Sequence, residues 1–511
     1  MTTTAPRTNG TKSLLRAMLA LTPVFFMISC GGGSSSPEPS PSPSPPQIAL
    51  TRLSTDTFTN PESQHATEVE PGMAVSGSTL VTAFQVGRRF GGGASDIGFA
   101  TSTNGGASWT SGLLQGITQF AGGTYLFASD PSVAFDQSHG VWIIATLDIT
   151  ATNDIVSVSR SADAMNWAAP IIVSSTPDAD KEWIACDNTA SSAFYGRCYL
   201  EWDDPSTPAN GLIWMSTSAD GGLTWSAAVN TARSTGGIGG QPVVQPNGTV
   251  VVPTMSSDGN SMLAFTSTDG GASWNAPVTI SSISDHVVAG NMRTIALPSA
   301  AVDSSGRVYV VWQDCRFRTH CASNDIVLST SSDGSNWTAP AGIPIDSLSS
   351  AVDHFIPVIA VDPTTSGASV RLAVTYYFYP TAQCTTATCQ LEVGVISSAN
   401  GGASWGTPTT LAGPMSLSWL PNTSSGVMVG DYFATAFSNG HAYSVFAVAQ
   451  ANTGTTLNES IFTTTSALPL EISHFSRRAL RPELAVTRKS DHGPRKFYDL
   501  DNEHPIPQRK K

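Results

Sequence analysis

Charged side chains are scarce in this chain of 511 residues, so the few that could do chemistry are easy to find. Residues 48–474 hold twelve Lys and Arg and carry a net charge of −20. Half of those twelve fall in a few short segments, as Arg88, Arg89, Lys181, Arg293, Arg316 and Arg318. Acids accompany them (Glu70, Asp130, Glu182, Asp203, Asp204, Asp314 and Asp431), together with His320 and Tyr432. A guanidinium matches a carboxylate in a two-point fit, so Arg88, Arg89, Arg293 and Arg316 are candidates to grip an anionic substrate. A carboxyl pair such as Glu182 with Asp314 can serve as general acid and base at a glycosidic bond. The structural alternative is arginines paired with their own acidic neighbours, and Asp314 with Arg316, two residues apart, fits that as well. So acidic a body does not bind nucleic acid non-specifically. No Cys or His spacing has the pattern of a metal site, and neither a metal nor a cofactor is expected.

The elements that must position these residues announce themselves by repetition. STNGGASW (102–109) recurs as SADAMNW (161–167), SADGGLTW (218–225), STDGGASW (267–274), SSDGSNW (331–337) and SANGGASW (398–405). The tryptophans are 49 to 68 residues apart, a period expected of propellers and solenoids. Each copy reads as a tight turn. Asp or Asn accepts backbone N–H groups just ahead, Gly takes a positive φ, and Trp buries its ring. Asn104 and Asn400 stand where other copies have Asp. A turn tolerates that exchange and a catalytic carboxylate does not, so the repeat is scaffold.

A second pattern precedes each copy: a polar or Pro-flanked start, an apolar strand, a turn and another apolar strand, as in EPGMAV…TLVTAF (70–84) or IPVIAVD…RLAVTYY (356–377). With a third strand before the box and a fourth after its Trp, the unit is a four-stranded antiparallel blade. Counting 430–465 as a last unit that borrows its outer strand from 48–56 predicts an all-β propeller. Seven blades are favoured and six possible, with the N- and C-terminal strands closing the ring.

The repeated Ser-x-Asp-x-Gly-x-Thr-Trp resembles the Asp box, or BNR repeat, of the sialidase (neuraminidase) superfamily. The resemblance spans 102–405 and implies a propeller with its site on the rim opposite the boxes. That rim is made by the loops between strands two and three and those leading into strand one. It also implies three arginines on a sugar carboxylate, a Tyr nucleophile activated by a Glu, and an Asp as acid/base. Placed by rim, the arginines are Arg293, Arg316 and Arg88 or Arg89, the nucleophile Tyr432 and its base Glu182; Glu182 with Asp314 could instead run ordinary glycoside hydrolysis. The sequence departs from the family in two ways. The sialidases have six blades, and their Phe-Arg-Ile-Pro signature is replaced by Glu70-Pro71-Gly72. The expected function is a sialidase-like exo-glycosidase on anionic glycans, the alternative a non-catalytic surface propeller binding glycans or proteins. His354 and Asp353 would join the mouth, and Tyr376, Tyr377 and Tyr379 read as filling.

The ends carry addresses. Residues 1–30 have a short positive region, an apolar run from Ala17 to Ile28 and then Ser29-Cys30, an export signal whose ending resembles a lipobox with Cys30 acylated. Gly31 follows rather than an acidic retention signal, and residues 31–47 form a Ser/Pro-rich tether. An exported protein held by a lipid anchor at the outer membrane or cell surface is expected. The body, 48–474, then holds Cys186, Cys198, Cys315, Cys321, Cys384 and Cys389, which proximity pairs in that order as three disulfides. The tail, 475–511, has ten Lys and Arg against five acids and no strand pattern.

Overall fold

The computed structural model describes residues 48–206, 211–231 and 235–470, with the backbone of Arg477–Arg478. Cys30, the tether and most of the tail lie outside the described residues. The described chain is all β apart from four short 3-10 turns, and none of its helices is long and apolar enough to cross a membrane. The fold is a propeller of antiparallel blades.

Each blade follows its sequence. Strands such as Val308–Asp314 (VYVVWQD) are buried throughout because a sheet lies on both faces, so they read as apolar runs rather than alternating ones. Five separate sheets have four or five strands each; their innermost strands begin at Asp180, Gly237, Ser299, Asp353 and Ala434. Eight further strands, between Glu68 and Thr176, form one continuous sheet. Within it two units of four strands follow one another, joined at the single pair Ala94↔Ala128. The structure thus differs from seven separate blades: five stand alone and the strands from Glu68 to Thr176 run as one sheet, because the third strand of the first unit meets the inner strand of the second. Leu50–Arg52 pairs antiparallel with Glu459–Thr464, Leu50 opposite Thr464, so both ends of the described chain share the last sheet.

The boxes act as turns. Ser267 Oγ donates to Asp269 Oδ1 at 2.8 Å, and the same oxygen accepts the amide of Ser273 at 3.0 Å. Asn104 Oδ1 accepts from Ser102 Oγ and Ser108 N, both at 2.9 Å, while its amide nitrogen donates to Ser108 Oγ at 2.8 Å. The carbonyl oxygen is the group the turn needs, so amide and acid are interchangeable. Trp274 of the box packs edge-on to Phe265 of its own sheet and Tyr199 of the preceding one, pinning turn to blade and blade to blade. Disulfides join Cys186–Cys198, Cys315–Cys321 and Cys384–Cys389, the first between paired residues of adjacent strands.

Candidate functional site

Four inner strands begin with an irregularity that aims side chains at the ring axis. Pairing register shifts between Val69 and Gly72, Ser129 and Ser132, Asp180 and Trp183, and Phe355 and Val358. Inside each shift one non-glycine residue has positive φ: Glu70 (55°), Asp130 (44°), Lys181 (54°) and Ile356 (47°). These are β-bulges with their first residue in the left-handed region, a conformation that costs of order 1–3 kcal/mol each and persists only where surroundings impose it. Three of the four are charged and are brought together.

Lys181 Nζ lies 3.0 Å from Asp431, 3.3 Å from Asp180 and 3.7 Å from Asp130. Arg293 makes a two-point pair with Asp431, at 2.9 Å from Nε and 2.5 Å from Nη2. The Asp431 amide donates to Glu70 Oε1 at 3.0 Å, and Gln85 Nε2 donates to the other Glu70 oxygen. Tyr432 stands edge-on to Trp183 with centroids 5.2 Å apart, and its hydroxyl donates to Pro131 O at 3.4 Å. All these charged groups are buried. Among the described residues, neither carboxyl oxygen of Glu182, buried nearby, has a hydrogen-bond partner on a neighbouring residue.

Burial and charge sort the acids. Burial, then the charge of Asp130, pushes the Glu70 carboxyl well above the usual range, and the same two causes raise Glu182. Burial also works against ionised Asp130 and Asp431, but Lys181 together with hydrogen bonding to Glu70 and Asp180 outweighs it for the first, and Arg293 with Lys181 for the second, holding both low. Burial and charge therefore favour the protonated form at Glu70 and Glu182 and the ionised form at Asp130 and Asp431, the two forms acid–base chemistry uses. Burial raises the Tyr432 hydroxyl well above its ordinary value.

A hairpin, Asn422–Thr423 with Gly426–Val427, lies against this cluster. Ser424 N donates to Phe90 O at 3.1 Å and Gln64 Nε2 to Asn422 O at 2.7 Å on one side. Arg293 N donates to Val427 O, and Val427 N to Asn291 O, both at 2.9 Å on the other. Gly426 has φ 123°, and a Cβ there would meet Asn291 O at 2.2 Å. The hairpin is thus fastened to two separate loops of the mouth.

Of the residues given site roles from sequence, Glu182, Tyr432 and Arg293 come together, in one cluster with Glu70, Asp130, Lys181 and Asp431. Arg88, Arg89, Arg316 and Asp314 have other partners. Arg316 and Asp314 form a two-point pair at 2.8 and 2.6 Å, with Arg316 also on Ser281 and Ser282. Arg88 is buried, with Nη1 on Gly93 O at 2.8 Å and Nε on Met428 Sδ at 3.4 Å. The Arg89 guanidinium stacks 3.4 Å from the Phe127 centroid. Asp325, Asp346 and His354 have potential ligand atoms within 4.8 Å of one another, but Arg318 bonds both carboxylates and stands where a cation would. Tyr376, Tyr377 and Tyr379 are buried filling. Glu70, Asp130, Lys181 and Asp431 were legible as rim residues but not as one cluster. The available signal was the recurring x-Pro at the start of inner strands, in Glu70-Pro71, Asp130-Pro131 and Ile356-Pro357.

Residues 148–357 match the model of the BNR repeat-like domain. No curated protein matches the chain. Among solved structures, an ulvan lyase of polysaccharide lyase family PL25 is 11% identical and aligns over 89% of this chain and 100% of its own, with a TM-score of 0.50. The Hadza microbial sialidase Hz136 is 13% identical over 79% of this chain, which covers 66% of the sialidase, with a TM-score of 0.38. An α-L-arabinanase of Penicillium chrysogenum, solved with arabinobiose, is 12% identical over 82% of this chain and 98% of its own, with a TM-score of 0.42. At such identities the likeness is one of fold.

Proposed function

We propose that this BNR-repeat β-propeller, with Asp boxes like those of the sialidase superfamily, is a glycan-acting surface protein. In its finer form it is an exo-glycosidase on anionic glycans. The observation that carries the proposal is the axial cluster. There Glu182, buried and without a hydrogen-bond partner on a neighbouring described residue, would donate a proton to the leaving oxygen, while Asp130, its ionised form favoured by Lys181 and by hydrogen bonding to Glu70 and Asp180, would serve as the carboxylate partner. This acid–base form is better supported than a tyrosinate attack. The Tyr432 hydroxyl is bonded to Pro131 O, and burial raises its pKa. Asp314 would serve less well, since Arg316 already holds it.

A second reading rests on its own observation. Arg293 and Arg316 are committed to acids of the protein, and Arg88 to Gly93 O and Met428, as a structural ring would require. Under that reading the mouth is a binding surface without turnover. The test is hydrolysis of a fluorogenic sialoside, then of a panel of other glycosides, by the full chain beside Glu182→Gln. Turnover reduced at least 100-fold in a variant of unchanged melting temperature supports the enzyme. Absence of turnover by the folded wild type on every glycoside transfers the proposal to binding. We further propose export and acylation at Cys30, with anchoring at the cell envelope. Mass spectrometry of the mature N-terminal peptide should find the acyl chains, and finding an unmodified Cys30 would end that part.

A further inference from the structure

One buried side chain of the axial cluster has no part in the acid–base reading, although it touches two of the bulged acids. Gln85 lies on the second strand of the first unit, Thr79–Arg88, opposite Val69, the residue before the bulge at Glu70. It is wholly buried. Its amide nitrogen donates to Glu70 Oε2, to Ser129 Oγ at 3.1 Å and, at 3.4 Å, to Asp130 Oδ1. Ser129 Oγ in turn donates to Asp130 Oδ1 at 3.1 Å. Glu70 belongs to the first unit and Asp130 to the second, so one neutral donor group joins acids of two inner strands. Gln85 Oε1 is buried with no hydrogen-bond partner among the described residues. An unpaired buried acceptor is costly, so the side chain is oriented for what its nitrogen gives. The bulge does not itself call for an amide. At the same register the other three bulged units carry Leu147 opposite Ser129, Asp203 opposite Asp180 and Tyr377 opposite Phe355. Leu147 is a buried hydrocarbon, and the Tyr377 hydroxyl donates to Ala447 O at 2.9 Å. An amide stands at this register only in the first unit, and there it bridges the acids.

We infer that Gln85 is a positioning residue for the axial acids: its amide fixes Glu70 against Asp130 and supplies an N–H to the Asp130 carboxyl. The inference rests on the proposed acid–base reading, in which Asp130 is the carboxylate partner. Charged and titratable groups face this pair from every side. Lys181 and Asp180 come from the third unit, together with Glu182. Asp431 and Tyr432 come from the connection into the last sheet, and Arg293 acts on Glu70 from the connection before Ser299–Val302. Against that background Gln85 adds donors without adding charge. A hydrogen bond to a carboxylate favours the ionised form, so the amide helps to keep Asp130 a base while Lys181 supplies the charge.

Gln85→Leu in the full chain is the test, since the second unit already carries Leu at this register and the change removes the donors alone. Carbon-13 NMR of protein labelled at its aspartate carboxyls follows the titration, with Asp130→Asn identifying the signal. The Asp130 midpoint is expected to rise by about one pH unit, the size of one hydrogen bond to a charged group. On any glycoside the wild type turns over, the acid limb of kcat/KM should move up by the same amount, and kcat should fall about tenfold with KM little changed. An unmoved midpoint overturns the inference whether or not a glycoside is turned over. A midpoint that moves while the acid limb stays also overturns it, because Asp130 is then not the base that Gln85 serves. A moved midpoint in a protein that turns over no glycoside supports the hold of Gln85 on the pair and ends the glycosidase reading instead. Should Gln85→Leu fail to fold, Gln85→Met, unbranched and of similar length, carries the same measurements.

Discussion

Asp148 illustrates how single residues set the pH response of this protein. Burial raises its carboxyl to about 7, against hydrogen bonds from Ser157 and Thr146, and burial raises Glu68 to about 7 as well. Between the unfolded value of 3.8 and about 7 the folded Asp148 keeps a proton that the unfolded chain has lost. The folded state then binds more protons, so stability falls as pH rises through that window. The melting temperature should be higher at pH 5 than at pH 7.5, and Asp148→Asn should make the decline shallower; an unchanged slope would remove Asp148 as a source. Arg293 sets a different test. Removing one partner of a buried ion pair costs about 3–5 kcal/mol because the other charge is stranded. Lys181 remains 3.0 Å from Asp431, so Arg293→Ala should fall at the low end, about 3 kcal/mol in urea unfolding. A loss below about 1 kcal/mol would show that Asp431 is not stranded.

Two elements carry the architecture, the box and the bulge. In the box the acceptor oxygen does the work, as Asn104 and Asn400 show. Asp269→Asn should therefore cost only a few tenths of a kcal/mol. Asp269→Ala leaves the Ser273 amide and two hydroxyls without their acceptor and should cost about 1–2 kcal/mol. Equal losses in chemical denaturation would contradict the turn account. The bulge does the opposite of the box: it spends backbone strain at Glu70, Asp130 and Lys181 to bring unlike charges together. Outer strands matter too. Leu50–Arg52 covers the edge of Glu459–Thr464, and Leu53 beyond it is buried. Deleting 48–53 should lower the melting temperature and give concentration-dependent association in light scattering, because an uncovered edge pairs with other chains.

At the scale of the whole molecule, the order of blades decides which loops meet. Asp431 arrives from the connection leading into the last sheet, Lys181 and Asp130 from two earlier sheets, and Arg293 from the connection between Val278–Ser282 and Ser299–Val302. Inter-sheet packing of fully buried Trp202, Trp312 and Trp405 holds that arrangement while the interior charges find partners. The 422–427 hairpin, fastened to Phe90 and Gln64 on one side and to Asn291 and Arg293 on the other, links distant parts of the same mouth.

The sequence by itself determined the scaffold. Six boxes with apolar strands before them dictated antiparallel blades, and cysteines five to twelve residues apart dictated three local disulfides. These features are local, and their physics is that of turns, alternation and short loops. It also marked Asp314 and Arg316 as a possible pair, since neighbours two apart need no fold to meet. Only the tertiary structure decided that two blade units run on as one sheet, through a single pair between Ala94 and Ala128. It alone decided that Glu70, Asp130, Lys181, Arg293 and Asp431 share one buried site and that Arg88 does not grip an acid. Those contacts join residues up to 361 apart, and they depend on bulge conformation and blade order, neither of which a residue's own neighbours specify.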